Sequence, residues 1–307
     1  MYRRIVLIAC LVTLAACSRT ELVYRNADWL AYRWVDGLLD ADQAQSERWP
    51  LLFEQVMQEH RRELLPRVVS LLQQASVRAE DGLSRGDLDC LWQDTNLLIE
   101  AHARVVVPTG VQVLSDISAV QMEHLRAELE ERNGDYREDY LDPDPGKREA
   151  ARIGRFIERI ERWTGSLARD QMRLVEAAVQ GMPDVAAEWL DYREQQQQQL
   201  LAILRQQHPQ ALEDFLVSWW VDQANRGPVL NQAYPQLRDA WIRLLAALDA
   251  TLDQRQRDHL LARIIDLRDD LAGEIDSEID PLTIPPSSVS AECSNGSSFT
   301  QVGINPQ

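Results

Sequence analysis

The stretch RFIERIERWTGSLARDQMRLVEAAV, residues 155–179, carries apolar side chains at intervals of three, four or seven residues. They are Phe156, Ile160, Trp163, Leu167, Leu174 and Ala178. This spacing puts them on one face of an α-helix, so the stretch predicts a single helix of about 30 residues. A helix with one apolar face needs a neighbour to cover it, which favours a helical bundle.

Three further apolar stripes have the same helical spacing. They consist of Leu64, Val68, Leu72 and Ala75; of Trp241, Leu244, Leu245 and Leu248; and of Leu252, Leu260, Ile264, Leu267 and Leu271. No stretch shows the sustained two-residue alternation that is typical of strands. The predicted fold class is therefore all-α, as an elongated multi-helix bundle.

Clusters of proline, glycine and acidic residues predict where the helices end. The segment NGDYREDYLDPDPGK, residues 133–147, predicts an acidic loop between an N-terminal helical half, residues 17–132, and a C-terminal half, residues 148–273. A further break is expected at Pro108-Thr109-Gly110. Residues 274–307 contain many serines and prolines but no lysine or arginine, which predicts a disordered C-terminal tail.

Residues 1–16 have the features of a signal peptide, because Arg3 and Arg4 precede a short apolar run. The run ends in Leu14-Ala15-Ala16-Cys17, which resembles the bacterial lipobox. The resemblance implies cleavage before Cys17 and attachment of lipid to its thiol. Ser18 stands where an aspartate would suggest retention in the inner membrane. We therefore expect an outer-membrane lipoprotein that faces the periplasm and contacts the membrane through Cys17.

The charge balance limits the classes of partner. The formal charge is −17, and losing Arg3 and Arg4 with the signal peptide leaves −19, so nucleic acid is not an expected partner. Lys147 is the single lysine, which leaves little scope for lysine-based chemistry. Beyond Cys17, the cysteines are Cys90 and Cys293. A buried, unpaired Cys90 is expected, although an oxidising periplasm would also allow the two to form a disulfide.

Patterns of catalytic or metal-binding residues are missing from the sequence. None of the five histidines follows a glutamate at the spacing of a di-iron bundle, and His-Glu-x-x-His and phosphate-loop motifs do not occur. His60 lies near an apolar stripe, where a hydrogen-bonded core histidine is expected. We therefore expect no cofactor and no enzymatic activity.

Several segments resemble an uncharacterised family of Gram-negative lipoproteins. They are ELVYRNADWLAYRWVDGLLDADQAQ (21–45), LEERNGDY (129–136) and the stretch 155–179. The likeness covers roughly residues 1 to 273 and implies no activity, because the family is known only as a domain of unknown function.

A second motif occurs twice. Leu39-Asp40-x-x-Gln43 and Leu252-Asp253-x-x-Gln256 are similar to the LTxxQ element of the Spy-type periplasmic chaperones, which hold unfolded clients without ATP. The resemblance implies that unfolded or envelope proteins are partners. The same residues also fit a capping box, in which Asp and Gln satisfy each other's backbone amides at a helix start. The sequence leaves both interpretations open.

Aromatic and glutamine-rich segments give weaker predictions. Trp219 and Trp220 cannot both lie on one face of a helix, so one is expected to pack on another element or to form an exposed binding surface. Trp29, Tyr32 and Trp34 follow Cys17 closely and fit either lipid head groups or the core. The run Gln195–Gln199 predicts a solvated helix face.

Three functions are compatible with these features. The leading one is a non-catalytic, lipid-anchored periplasmic binding protein with a chaperone-like or envelope-stress role. The first alternative is a structural or assembly partner in an outer-membrane or cell-wall complex. The second is a hydrolase without a recognisable motif. The sequence does not specify the client or the oligomeric state.

Overall fold

The computed structural model describes residues 19–275 and 279–287, and this part of the chain contains helices and no strand. The predicted all-α class is confirmed. The signal peptide and Cys17 lie outside the described residues. The α-helices are α1 Arg19–Arg25, α2 Ala27–Leu39, α3 Gln43–Glu59, α4 Leu65–Glu80, α5 Arg85–Ser115, α6 Ala119–Tyr140, α7 Pro145–Thr164, α8 Arg169–Gln180, α9 Ala186–Gln206, α10 Pro209–Leu216, α11 Gly227–Asp249 and α12 Gln254–Ala272.

Three shorter helical segments complete the described chain. A π-helical turn, His60–Leu64, joins α3 to α4, and a second, Val217–Val221, follows α10. A 3₁₀ turn, Pro281–Thr283, lies beyond α12. π-Helical turns are rare and often mark functional positions.

The apolar residues form three clusters. The largest joins α2, α3, α5, α6, α9 and α10 around the fully buried Trp49 and Leu216. A second joins α7, α8 and α11 around Val175 and Val179. The third lies between α4 and α12, where Leu65 and Val69 meet Leu271. Because α4 packs along α12, helices from before and after the predicted seam at 133–147 share a core.

Helix α5 runs through the middle of this arrangement and contacts α3, α4, α10 and α11. Among the described residues, it is the helix that is long and apolar enough to cross a membrane. Core helices of water-soluble proteins meet the same criterion. The break predicted at 108–110 is absent, since α5 continues through Pro108. Gly110 is needed there because a Cβ atom would lie 2.8 Å from the ring of Trp220.

Neither tryptophan of the pair at 219 and 220 is exposed. Both lie in the second π-helical turn and are partly buried against the largest cluster. Trp220 packs on Gly110 of α5, while the ring of Trp219 lies 5.5 Å from that of Phe215. The exposed aromatic surface predicted at these positions is therefore wrong, and packing on another element is the observed alternative.

The predicted acidic loop at 133–147 is mostly helical. Helix α6 continues to Tyr140 and α7 begins at Pro145. A buried amide pair explains the longer helix: Asn133 Nδ2 donates to Gln197 Oε1 at 2.7 Å, and Gln197 Nε2 donates back to Asn133 Oδ1 at 3.3 Å. This pair joins α6 to α9. The predicted solvated glutamine face is correct for Gln195, Gln198 and Gln199, which are exposed, and wrong for Gln196 and Gln197, which are buried.

The stretch 155–179 forms two helices instead of one. Helix α7 ends at Thr164 and α8 begins at Arg169. Gly165 has a φ angle of +73°, a backbone conformation that residues with a Cβ atom rarely adopt. The apolar stripe is thus divided between two helices that pack against each other and cover their faces together.

Part of the predicted disordered tail packs on the bundle. Pro286 and Ser287 are buried, and the Ser287 hydroxyl donates a hydrogen bond to Asp94 of α5. Cys90, one turn earlier on α5, is disulfide-bonded, so the expectation of an unpaired thiol is wrong. The cysteine that pairs with Cys90 lies outside the described residues. Residues 276–278 and 288–307 also lie outside them. Packing of Pro286 and the hydrogen bond to Asp94 explain why the tail does not begin at 274.

Candidate functional site

The LDxxQ motifs are located at helix starts, but only one is in the predicted register. Asp253 accepts a hydrogen bond from the Gln256 amide and Gln256 Oε1 accepts one from the Asp253 amide, which is a complete capping box. In the first motif the box uses Asp42 and Gln45, two residues after the predicted Asp40 and Gln43.

The shift in register has a local cause. Leu39 is buried and ends α2, and Asp40 adopts the left-handed conformation of a helix C-cap. Gln43 is exposed as the first residue of α3. Asp40 therefore terminates one helix, and the residue that begins the next is Asp42.

Each of these glutamines is paired with another glutamine at a second helix start. Gln45 Nε2 donates to Gln121 Oε1 at 3.2 Å, and Gln121 Nε2 donates back at 2.6 Å. Gln171 and Gln256 make the same reciprocal pair, with both distances 2.9 Å. All four side chains are buried. We call these the two glutamine pairs.

The remaining hydrogen bonds follow one rule in both pairs. Each Oε1 accepts the backbone N–H of its own N-cap residue, at Asp42, Ser118, Ala168 and Asp253. Each Nε2 donates to the carbonyl two residues before the partner's N-cap, at Asp116, Asp40, Thr251 and Ser166. Every donor and acceptor position of each amide has a partner, so burial leaves none unsatisfied.

The glutamine pairs join helical hairpins. The first holds the α2–α3 turn against the α5–α6 turn, and the second holds the α7–α8 turn against the α11–α12 turn. Gln256 is buried in these contacts and has a structural role there, whereas Asp40, Gln43 and Asp253 are exposed.

A chain of three side chains surrounds the first π-helical turn. Tyr24 Oη lies 2.8 Å from His60 Nδ1, His60 Nε2 lies 3.0 Å from His102 Nε2, and His102 Nδ1 lies 2.5 Å from the Leu98 carbonyl. A carbonyl only accepts, so His102 Nδ1 carries the proton and its Nε2 accepts from His60. His60 Nδ1 then accepts from the tyrosine hydroxyl. His60 is the hydrogen-bonded histidine predicted from the sequence.

Burial favours the neutral forms of His60 and Tyr24. It lowers the pKa of His60 to about 4, with smaller contributions from the neighbouring His102 and the positive charge of Arg61. Burial likewise raises the pKa of Tyr24 to about 12, partly offset by Arg61. The chain ties α1 to the π-helical turn and to α5.

The strongest candidate for a binding site is a cleft beside α7. Arg148, Arg152, Arg155 and Arg159 recur at helical spacing along one face of this helix and line the cleft. Its volume is about 300 Å³, which is at the lower end for small-molecule sites. The opposite wall comes from the end of α6, the α8–α9 loop, α9 and α11. We call it the arginine cleft.

Backbone contacts hold the arginines in place. Arg152 donates to the carbonyls of Pro183 and Met182 at 2.8 and 3.2 Å. Arg155 donates to the Asp139 carbonyl at 3.2 Å, and its guanidinium carbon lies 4.4 Å from the centroid of the Tyr140 ring. These contacts position the cations without neutralising them.

Aromatic rings line the same cleft. Tyr136 and Tyr140 are stacked, with ring centroids 4.5 Å apart, and the guanidinium of Arg155 lies over the ring of Tyr140. Trp189 and Tyr234 complete the aromatic lining. Burial raises the pKa of Tyr136, so its phenol stays protonated at neutral pH and can donate a hydrogen bond.

The arginine cleft is positively charged although the whole chain is strongly negative. Asp184 is the single carboxylate among the lining residues, and it pairs with Arg148 at 3.5 Å. Within the described chain, Arg152, Arg155 and Arg159 make no ion pair. Burial lowers the pKa of Arg152, so an anion there would replace lost solvation. The cleft can therefore bind anionic groups and stack flat apolar ones.

Comparisons with known proteins identify the family. The model of a family of unknown function, DUF6279, matches residues 37–225, which is more than half of the chain. The chain belongs to the DUF6279 family. This confirms the predicted resemblance to a domain of unknown function, over a shorter span than residues 1 to 273. No curated protein and no solved structure matches the chain.

The DUF6279 match includes the first glutamine pair, Gln171 and the four arginines of the cleft, and it ends before Gln256. The sequence motifs did not include Gln121 and Gln171, although each lies three residues after an N-cap. The arginines of the cleft were not predicted either, although positions 148, 152, 155 and 159 have the spacing of one helical face. Residues of the second wall are distant in sequence and carry no comparable signal.

We expect the two glutamines within each pair of this DUF6279 protein to be energetically coupled. Gln171→Ala removes partners from the buried Gln256 amide and should lower the free energy of unfolding by about 1–3 kcal/mol. Gln43→Ala, at an exposed position, should change it by less than about 0.5 kcal/mol. In urea unfolding, the Gln171→Ala/Gln256→Ala double variant should lose less stability than the two single variants added together. Strict additivity would contradict the pairing.

His60 should make stability depend on pH. Its pKa is about 4 in the folded chain and about 6.5 when unfolded, so the unfolded state binds more protons between these values. The free energy of unfolding should therefore fall as the pH drops from about 6.5 to about 4, by roughly 1–2 kcal/mol after allowance for solvent access. His60→Gln should remove that part of the pH dependence, whereas the control His124→Gln should retain it. Identical pH dependence of the free energy of unfolding in both variants would count against a neutral, buried His60.

Proposed function

We propose that the protein is a non-catalytic binding protein held at the periplasmic face of the outer membrane by lipid on Cys17. The observation that carries the binding role is the row of arginines in the arginine cleft, three of them without an ion pair in the described chain. Burial lowers the pKa of Arg152, and like charges spaced along one helix face repel each other unless an anion lies between them, which favours a binding site over a purely structural feature.

The chemistry of the cleft supports binding more than catalysis. Its arginines are permanently charged, and the raised pKa of Tyr136 keeps that phenol protonated. Such groups hold carboxylates or phosphates by charge and hydrogen bonding, while the stacked tyrosines accept a flat apolar group. We infer a ligand in which acidic groups neighbour aromatic or apolar ones, as in segments of unfolded or envelope proteins.

The proposed location has two independent supports. Leu14-Ala15-Ala16-Cys17 has the form of a lipobox. Cys90 is disulfide-bonded, and disulfides persist in the periplasm but are rare in the cytosol. A chaperone-like role rests on the resemblance to the Spy-type chaperones alone. The structure adds no support for it at Gln256, because this side chain and its partner Gln171 are buried. An assembly role in an envelope complex is the alternative, and it would use the same cleft for one dedicated partner.

A peptide titration tests the binding role. A short peptide in which glutamate alternates with phenylalanine should quench or shift the tryptophan fluorescence of the protein. Arg155→Gln/Arg159→Gln should weaken this binding about fivefold or more, and raising the salt from about 50 to about 500 mM should weaken it in the wild-type chain. The matched peptide with glutamine in place of glutamate should bind more weakly.

The control is Arg173→Gln, which removes an arginine paired with Asp170 on an exposed helix surface away from the cleft. It should leave peptide binding unchanged. Equal binding by the cleft variant and the control, or equal binding of both peptides, would contradict a cleft that binds anions. Tight binding of one envelope protein but of neither peptide would favour the assembly role.

The anchor has a separate test. Cys17→Ser should move most of the protein from the outer-membrane fraction to the soluble fraction, because the acyl chains supply most of the membrane affinity and any contact made by the polypeptide itself is weaker. Membrane fractionation of cells that express each form measures this. Sedimentation of the variant with the outer membrane as complete as that of the wild type would show that Cys17 is not the anchor.

A further inference from the structure

The first two helices expose apolar side chains on the face opposite the core. Five of the fourteen large apolar residues exposed in the described chain lie within residues 22–34. They are Leu22, Val23, Trp29, Leu30 and Trp34. The two tryptophans are 58% and 59% exposed, so most of each ring faces solvent. We call this surface the outer face of α1 and α2.

The outer face has one part on each helix. Asn26 separates α1 from α2, and its backbone, with φ −107° and ψ 16°, is not helical. Leu22 and Val23 are exposed on α1, whereas Trp29, Leu30 and Trp34 are exposed on α2 at helical spacing. The part on α2 is a stripe of exposed tryptophan and leucine, as in helices that lie in a membrane interface.

The opposite side of the helices is fixed to the protein. Tyr32 and Leu38 are buried in the largest apolar cluster, and Tyr24 is held by His60. Arg25 pairs with Glu21 and with Glu274 beyond α12. Rotation that would bury the outer face would break these contacts, so the apolar residues cannot turn inward.

We propose that the outer face of α1 and α2 lies in the head-group region of the membrane to which Cys17 is attached. The membrane contact rests on the proposed lipid anchor, because Cys17 is two residues before Arg19, where α1 begins. At 1.5 Å per helical residue, Trp34 is within about 23 Å of the start of α1 at Arg19. The anchor thus brings the outer face to the membrane surface, and tryptophan is the residue best suited to that depth.

The charges of the outer face specify the lipid. Arg33 is its cation, and the neighbouring Asp36 carboxylate neutralises it. Arg132 of α6 also reaches this face, with its guanidinium carbon 5.4 Å from the centroid of the Trp34 ring, and it lies 3.9 Å from the carboxylate of Glu128. The chain as a whole has a formal charge of −17, so anionic lipids should repel it. The favoured partner is a bilayer of zwitterionic head groups. Contact with it would fix the orientation of the bundle as well as its distance from the membrane.

The test uses the chain from residue 17 onward with Cys17→Ser, which has no lipid and retains all described residues. This chain should bind phosphatidylcholine vesicles in a flotation assay, and Trp29→Ser/Trp34→Ser should weaken the binding about tenfold or more. Trp163→Ser, which removes an exposed tryptophan on α7, is the control and should bind as the parent does. Adding phosphatidylglycerol to the vesicles should weaken binding by the parent.

Absence of vesicle binding by the parent chain, or equal binding by both tryptophan variants, would overturn the proposal. So would a dimer in sedimentation that Trp29→Ser/Trp34→Ser dissociates, because a second copy would then cover the outer face. Fractionation of the lipidated chain tests the anchor independently. If fractionation shows that Cys17 is not the anchor while the parent chain still binds vesicles, the proposed lipid anchor is refuted and the membrane contact of the outer face remains supported.

Discussion

The reciprocal glutamine pair is the interaction on which the arrangement of helices depends. Two buried amides satisfy each other and the N-cap amides of two helices, so a single pair fixes both the start of each helix and the contact between two turns. A buried amide without a partner is costly, which makes the alternatives to this geometry unfavourable. The same hydrogen-bond network occurs at Gln45 and Gln121, so two contacts between helical hairpins have the same structure.

The second pair also positions the arginine cleft. It holds the α7–α8 turn to the α11–α12 turn, and α7 and α11 supply opposite walls of the cleft. The pair thus sets the distance from the arginines on α7 to Tyr234 on α11. The first pair has the corresponding role for α2, whose outer face is the proposed membrane contact. Binding and membrane contact therefore depend on the same type of structural element.

Sequence patterns predicted the features that are local. Apolar spacing gave the all-α class, and the capping box at Asp253 and Gln256 was visible in four residues. Features that depend on distant partners were missed: the helix through 133–140 needs Gln197, and the break at Gly165 accompanies the pairing of Gln171 with Gln256. The arginine spacing on α7 was readable, but its meaning required the aromatic wall contributed by α6, α9 and α11.

Hydrogen exchange at the N-cap amides tests the central role of the glutamine pairs most directly. The amides of Ser118 and Asp253 donate to buried glutamine oxygens, whereas the Ser84 amide donates to the exposed Asp87 carboxylate in a capping box without a glutamine partner. Measured by NMR, the Ser118 and Asp253 amides should exchange only through global unfolding, and the Ser84 amide should exchange much faster. Fast exchange at all three positions would show that the glutamine pairs do not hold the turns together.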